Sequence, residues 1–312
     1  EPQSVDVPTN DGMPVLGLGT WENDDPAQCT ESVTTALESG YTHVDTAQIY
    51  GNEAAVGDGI ADADVDRDDV FLATKVWIDQ LAPEDVAAST RESLEKLGTE
   101  YVDLLYVPWP AGAYDPAETL PAFAELRDDG LIDRIGVSNF EPEHLDAATD
   151  ALGETPFANQ VEMHPMLQQD DLRAYADAND VELVAYSPLA RGHVFDAPEI
   201  TDIAEKHGVS AAQVSLAWLR EKGVTAIPKA TSEDHIADNW ASLGLELDDE
   251  DVETADAIDR TDRRVHPDFR PAWLTSARTG QRPALAPPPA AHRFARAPRP
   301  LLLPRAPPLD PG

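Results

Sequence analysis

VFLATKVWIDQLAPEDVAASTRESLEKLGTEYVDLLYV, residues 70–107, places two short apolar runs on either side of a helical pattern. The runs are VFLAT (70–74) and VDLLYV (102–107), and the pattern between them is PEDVAASTRESLEKLG. Apolar runs of this length bounded by polar loops read as buried strands. The same unit recurs in both directions. LGLGT (16–20) and THVDT (42–46) precede it, and RIGVS (134–138), ANQVE (158–162), ELVAYS (182–187) and VTAIP (224–228) follow. A second helical pattern, TLPAFAELRDDG, is stopped by Gly130. Near the N-terminus, VDVPTNDGMPVL reads as a hairpin turning at Asn10-Asp11-Gly12. Eight strands separated by helices over about 250 residues predict an α/β fold, a closed (β/α)8 TIM barrel. A doubly wound sheet would want a G-x-G-x-x-G turn opening a helix, and Gly17-Leu18-Gly19 is followed by no such pattern.

Charge bounds the partners. The chain carries 59 acidic and 22 basic residues, a net charge of −37. That balance argues against nucleic acid and against anionic membrane surfaces. The acids are dispersed as surface-like pairs and only five residues are lysine, the habit of a halophilic protein whose self-repulsion is screened in concentrated salt. A single cysteine, Cys29, excludes an internal disulfide and fits a reducing cytoplasm. No apolar run approaches a membrane span, and EPQSVDVPTN shows no basic or apolar signal region, so a cytoplasmic protein is expected.

After Trp273 the composition changes. Residues 274–312 hold six arginines, ten prolines and one acid, leaving a body of net charge −42 at 1–273. The tail has no periodic apolar face and reads as disordered, or as non-native sequence of the kind a GC-rich gene yields out of frame. The barrel is therefore assigned to 1–273.

In a barrel of this kind, chemistry sits where strands end at the C-terminal face. Those ends carry Asp45, Lys75, Pro108, Ser138 with Asn139, Gln160, Tyr186 with Ser187, and Lys229, with Tyr50 in the loop after the second strand. The eight histidines show no metal-ligand spacing, so no metal site is expected. GYTHVDTAQIYGNEAAVG (40–57), FLATKVW (71–77), IGVSNF (135–140), NQVEMHP (159–165), AYSPLARG (185–192) and VTAIPK (224–229) together resemble the aldo-keto reductase family, in its order and spacing. The short loop AGAYDPAETL is similar to prokaryotic members such as the 2,5-diketogluconate reductases.

The resemblance implies carbonyl reduction to an alcohol by hydride transfer from a nicotinamide cofactor, on a small aldehyde or ketone, by a monomer. It implies Tyr50 as general acid, Lys75 as its activating cation and Asp45 as that cation's partner. A free phenol has a pKa of ~10, and a neighbouring ammonium stabilises its phenolate. For the cofactor it implies Ser138, Asn139 and Gln160 on the carboxamide and Tyr186 against the ring, with Gly19, Thr20, Ser187 and Leu189 beside them. Lys229, Thr231, His235 and Asn239 stand where the family grips a 2′-phosphate, but Ala230 and His235 replace its serine and arginine. NADP(H) is expected over NAD(H), because Lys229 has a role there. Trp21, Trp77, Pro108 and Trp109 are implied in the substrate pocket. The family ends its fourth strand with His-Trp-Pro, where this chain reads Pro108-Trp109-Pro110. Proline has neither a side-chain donor nor a backbone N–H. The alternatives are a specialised enzyme that orients substrate otherwise, a weakened enzyme, a one-residue change in the sequence at that position, or a cofactor-binding sensor with little turnover.

Overall fold

Asp11 (φ 46°) and Gly12 (φ 85°) form the two-residue turn between β1 (Thr9–Asn10) and β2 (Met13–Pro14). Two central residues at positive φ give a turn whose twist matches the strands it joins. The hairpin is antiparallel, with Thr9 opposite Pro14. The computed structural model describes residues 7–267. The segment 274–312, read above as a tail, lies outside the described residues.

Eight parallel strands follow, each hydrogen-bonded to its neighbour in chain order. They are β3 (Leu18–Gly19), β4 (His43–Asp45), β5 (Phe71–Lys75), β6 (Val102–Val107), β7 (Ile132–Ser138), β8 (Ala158–Glu162), β9 (Glu182–Tyr186) and β10 (Thr225–Ala226). The two ends of the sheet meet. Gly17 N–H donates to the Ala226 carbonyl at 2.9 Å and Gly19 N–H to that of Pro228 at 3.1 Å, so the sheet curls round on itself as a barrel. Helices connect the strands on the outside. The helix Pro83–Leu97 begins with proline at its first position and ends at Gly98 in the left-handed conformation. All eight expected strands are present. β7 starts two residues earlier than its apolar run suggests, because Ile132 pairs with Val102 across the sheet.

Alternation along each strand divides the core. Leu72, Leu105 and Val107 point outward into the large cluster shared with the helices. Phe71, Ala73, Leu104 and Tyr106 point inward and fill the barrel. Met13 of the hairpin joins that inner cluster with Phe71 and Phe157, near the starts of their strands. The Arg134 guanidinium lies 4.3 Å from the Phe157 ring centroid in the same layer. The N-terminal end of the barrel is thereby filled, and its concave opening is at the other end.

Gly19 marks the tightest point of the seam. A Cβ there would stand 2.6 Å from the Ile227 carbonyl oxygen, a backbone atom that cannot swing away. We expect Gly19→Ala to cost about 1–3 kcal/mol by overpacking, read as a lower denaturant midpoint; an unchanged midpoint would mean the seam yields freely.

Candidate active site

The last inward-facing position of a barrel strand aims its side chain into the mouth. Asp45, Lys75, Ser138 and Tyr186 occupy such positions, Gln160 stands one inward position before the end of β8, and Pro108 continues the inward column Leu104, Tyr106 just past β6. They converge on a cavity of about 500 Å³, a volume suited to a small ligand. Tyr50 reaches it from a short 3-10 turn, Gln48–Tyr50, directly after β4.

At the centre is a buried ion pair. Lys75 Nζ donates to Asp45 Oδ1 and, at 2.8 Å, to the Thr46 carbonyl. The second Asp45 oxygen accepts from Gln160 Nε2 at 2.7 Å. Both ionic side chains are almost sealed from water, so each depends on the other for its charge. Burial opposes the Lys75 ammonium, but Asp45 and the adjacent Tyr50 phenol outweigh it and hold its pKa above the ordinary lysine value. Lys75 Nζ lies 5.2 Å from the Tyr50 ring centroid. Burial pushes the Tyr50 phenol up, Lys75 pulls it down and Asp45 pushes it up again, leaving it above the usual phenol value. Tyr50 is therefore a protonated phenol at neutral pH, held against a permanent cation.

The opposite wall is a polar row at the ends of β7 and β8. Ser138 Oγ donates to the Gln160 carbonyl at 2.6 Å, and Asn139 Nδ2 to Ser138 Oγ and the Pro108 carbonyl, each at 3.1 Å. Asn139 sits at φ 61°, a left-handed conformation that asparagine tolerates better than most residues. Tyr186 donates its hydroxyl to Asn139 Oδ1 at 2.9 Å, which fixes the ring as one face of the cavity. Adjacent amide, hydroxyl and carbonyl groups beside an aromatic face fit a nicotinamide carboxamide and its ring.

The structure brings most of the expected site residues to this cavity. Gly19, Thr20, Ser138, Asn139, Gln160, Tyr186, Ser187, Leu189 and Lys229 line it, as do Trp21, Trp77, Pro108 and Trp109. Thr231, His235 and Asn239 do not. They lie beyond β10, where Ser232 caps the helix Glu233–Ala241 by accepting from His235 N–H, and Asn239 is buried in that helix. The sequence reading missed Arg191 and Glu22, whose side chains join at 2.9 Å across the mouth. The Arg191 guanidinium also stacks over Trp21, 4.8 Å from the ring centroid. It missed Val265 and Pro267 as well, which form part of the wall. The clue to Arg191 was a base just past a strand end in a chain poor in bases. Among the described residues no group of three or more His, Cys, Asp or Glu side chains is arranged to hold a metal. No helix among them is long and apolar enough to cross a membrane.

A (β/α)8 barrel with a phenol, an ammonium and a carboxylate at its C-terminal mouth defines a class of oxidoreductase. Residues 15–260 match the model of the aldo/keto reductase family. An aldo-keto reductase of Mycolicibacterium smegmatis is 40% identical over 268 residues, covering 85% of this chain and 96% of that one. The glyoxal reductase of Bacillus subtilis is 41% identical over 255 residues, 82% and 92% of the two chains. The crystal structure of an aldo/keto reductase from Brucella melitensis superposes with a TM-score of 0.77 at 39% identity, over 81% of this chain and all of that one. The chain belongs to the aldo/keto reductase family.

Removing the charge from Asp45 tests the pair physically. We expect Asp45→Ala to cost about 3–5 kcal/mol at neutral pH, because Lys75 is left buried and unpaired. An unpaired buried lysine has a lowered pKa in the folded state, so the deficit should shrink as pH rises and the amine goes neutral. Unfolding titrations at two pH values would show it; a small deficit at both would mean that Lys75 reaches water.

Proposed function

We propose that this protein is a nicotinamide-dependent reductase of small aldehydes and ketones, with Tyr50 as the general acid. The observation that carries the reading is the buried Lys75–Asp45 pair against the Tyr50 phenol, facing a polar row suited to a carboxamide. A bound nicotinamide dinucleotide would supply the hydride. Ser138, Asn139 and Gln160 would hold its carboxamide and Tyr186 would lie along its ring. As charge develops on the substrate oxygen, Tyr50 gives up its proton. Lys75 stabilises the phenolate left behind, and Asp45 keeps Lys75 charged and in place.

Pro108 limits this chemistry. Its backbone carbonyl accepts from Asn139, and it offers the substrate no donor of its own. One missing transition-state donor commonly costs on the order of 10²–10³ in rate, so turnover rests on Tyr50. Trp21, Trp77 and Trp109 supply apolar walls, which favours compact carbonyls. The glyoxal reductase among the relatives points to the same class. A cofactor-binding protein with little turnover is the second reading, and the loss of a donor at Pro108 is what favours it.

For the cofactor we favour NADP(H) over NAD(H), on the strength of Lys229 at the cavity rim. Glu233 and Asp234 in the first turn of the following helix oppose an added phosphate there. One exposed lysine is worth ~1 kcal/mol or less, so the preference is small. A net charge of −37 also makes concentrated salt the natural medium, where repulsion of an anionic cofactor is screened.

The test is NADPH oxidation with a panel of small aldehydes in concentrated KCl. We expect turnover in the native chain and a loss of at least about 10³ in Tyr50→Phe, with cofactor binding retained by tryptophan quenching. Reduction needs the phenol protonated, so the rate should hold through neutral pH and fall only above the raised Tyr50 value. Lys75→Met removes the group that lowers that value and should move the fall to still higher pH. A Tyr50→Phe variant as fast as the native chain would refute the assignment.

A further inference from the structure

Glu162, the last residue of β8, is fully buried and plays no part in the chemistry above. Its carboxylate faces three donors. Oε1 accepts from Arg264 N–H at 2.6 Å and lies 3.1 Å from His164 Nε2; Oε2 accepts from Val265 N–H at 2.9 Å. Two of the three come from consecutive backbone amides about a hundred residues further along the chain. That stretch forms part of the cavity wall, through Val265 and Pro267. It belongs to no strand or helix, so nothing in regular secondary structure fixes its place.

We propose that Glu162 is a positioning residue for substrate specificity: a buried carboxylate that clasps residues 264–265 and so holds the Val265–Pro267 wall over the barrel mouth. A carboxylate is the group that suits the task. It is acceptor-only, it can take two parallel backbone amides, and bonds to a charged acceptor are about twice as strong as neutral ones. Those donors keep Glu162 ionised: burial pushes its pKa up, and His164 with the two amides brings it below the ordinary value. Other contacts lead the chain to the same place. Asp262 N–H donates to the Met166 carbonyl at 2.8 Å, and Gln168 Nε2 to the Ala255 carbonyl at 3.0 Å. The loop after β8 is thus a dock for the chain beyond 255, and Glu162 is its charged centre. This inference rests on the reductase reading only for its kinetic arm.

Glu162→Gln keeps the shape and replaces one acceptor oxygen with a donor that meets an amide N–H head-on. With a small aldehyde as substrate, KM should rise by at least about tenfold, the loss of one charge-assisted hydrogen bond. Affinity for NADPH should stay within about threefold, because Glu162 does not line the cavity. Trypsin cleavage after Arg263 or Arg264, identified by mass spectrometry, should quicken by at least about tenfold as the clasp opens. Should the glutamine variant fail to fold, Glu162→Asp keeps the charge, draws the carboxylate back by one methylene from both amides, and carries the same expectations. Unchanged KM and unchanged cleavage in the variant that folds would overturn the proposal. So would NADPH affinity falling in step with KM, which would place Glu162 in the cofactor site. If the native chain itself shows no turnover, the cleavage rates alone decide the clasp, and the reductase reading fails separately.

Discussion

An ammonium and a carboxylate, both almost sealed from water, face each other at the ends of β5 and β4. Neither is tolerable alone at that depth, since a buried ion without a partner costs several kcal/mol. The barrel makes the pairing affordable by delivering both groups from adjacent parallel strands in fixed register, Asp45 opposite Ala73 and two residues from Lys75. Gln160 then satisfies the second Asp45 oxygen from the far side of the barrel. Tyr50 is the beneficiary. Its phenol is buried enough to keep its proton, and the adjacent Lys75 ammonium lowers the cost of losing it.

The same geometry explains the closed end of the barrel. A site that depends on a low dielectric must exclude water from beneath, and the hairpin does so with Met13 packed on Phe71 and Phe157. Closure of the seam depends on Gly17 and Gly19, where a side chain would strike the His43 ring or the Ile227 carbonyl. These features serve the ion pair as much as they serve stability.

Much of this was legible in the sequence, for a physical reason. Parallel strands buried on both faces are written as continuous apolar runs, so all eight were visible. Their ends were therefore visible too, and most site residues are strand ends. Loop residues were harder. Arg191 meets Glu22 across 169 residues of sequence, and Glu162 meets Arg264 across 102. Pairings of that kind have no periodicity and appear only once the barrel brings the loops together. The expectation for Thr231, His235 and Asn239 came from the family resemblance, and in the structure those residues fall before and within the helix after β10, outside the cavity lining.

Pro108 brings no side-chain donor or acceptor to the mouth. It occupies the inward column at the end of β6, beside the polar row, and contributes only a carbonyl that Asn139 already uses. If the pair, the phenol and the polar row form a working reductase short of one donor, restoring that donor should raise its rate. The measurement is the single-turnover rate of NADPH oxidation with a small aldehyde in concentrated KCl, native chain against Pro108→His. A gain of roughly 10²-fold is expected, with cofactor affinity unchanged. A histidine variant no faster than the native chain, with NADPH bound equally well, would contradict that expectation.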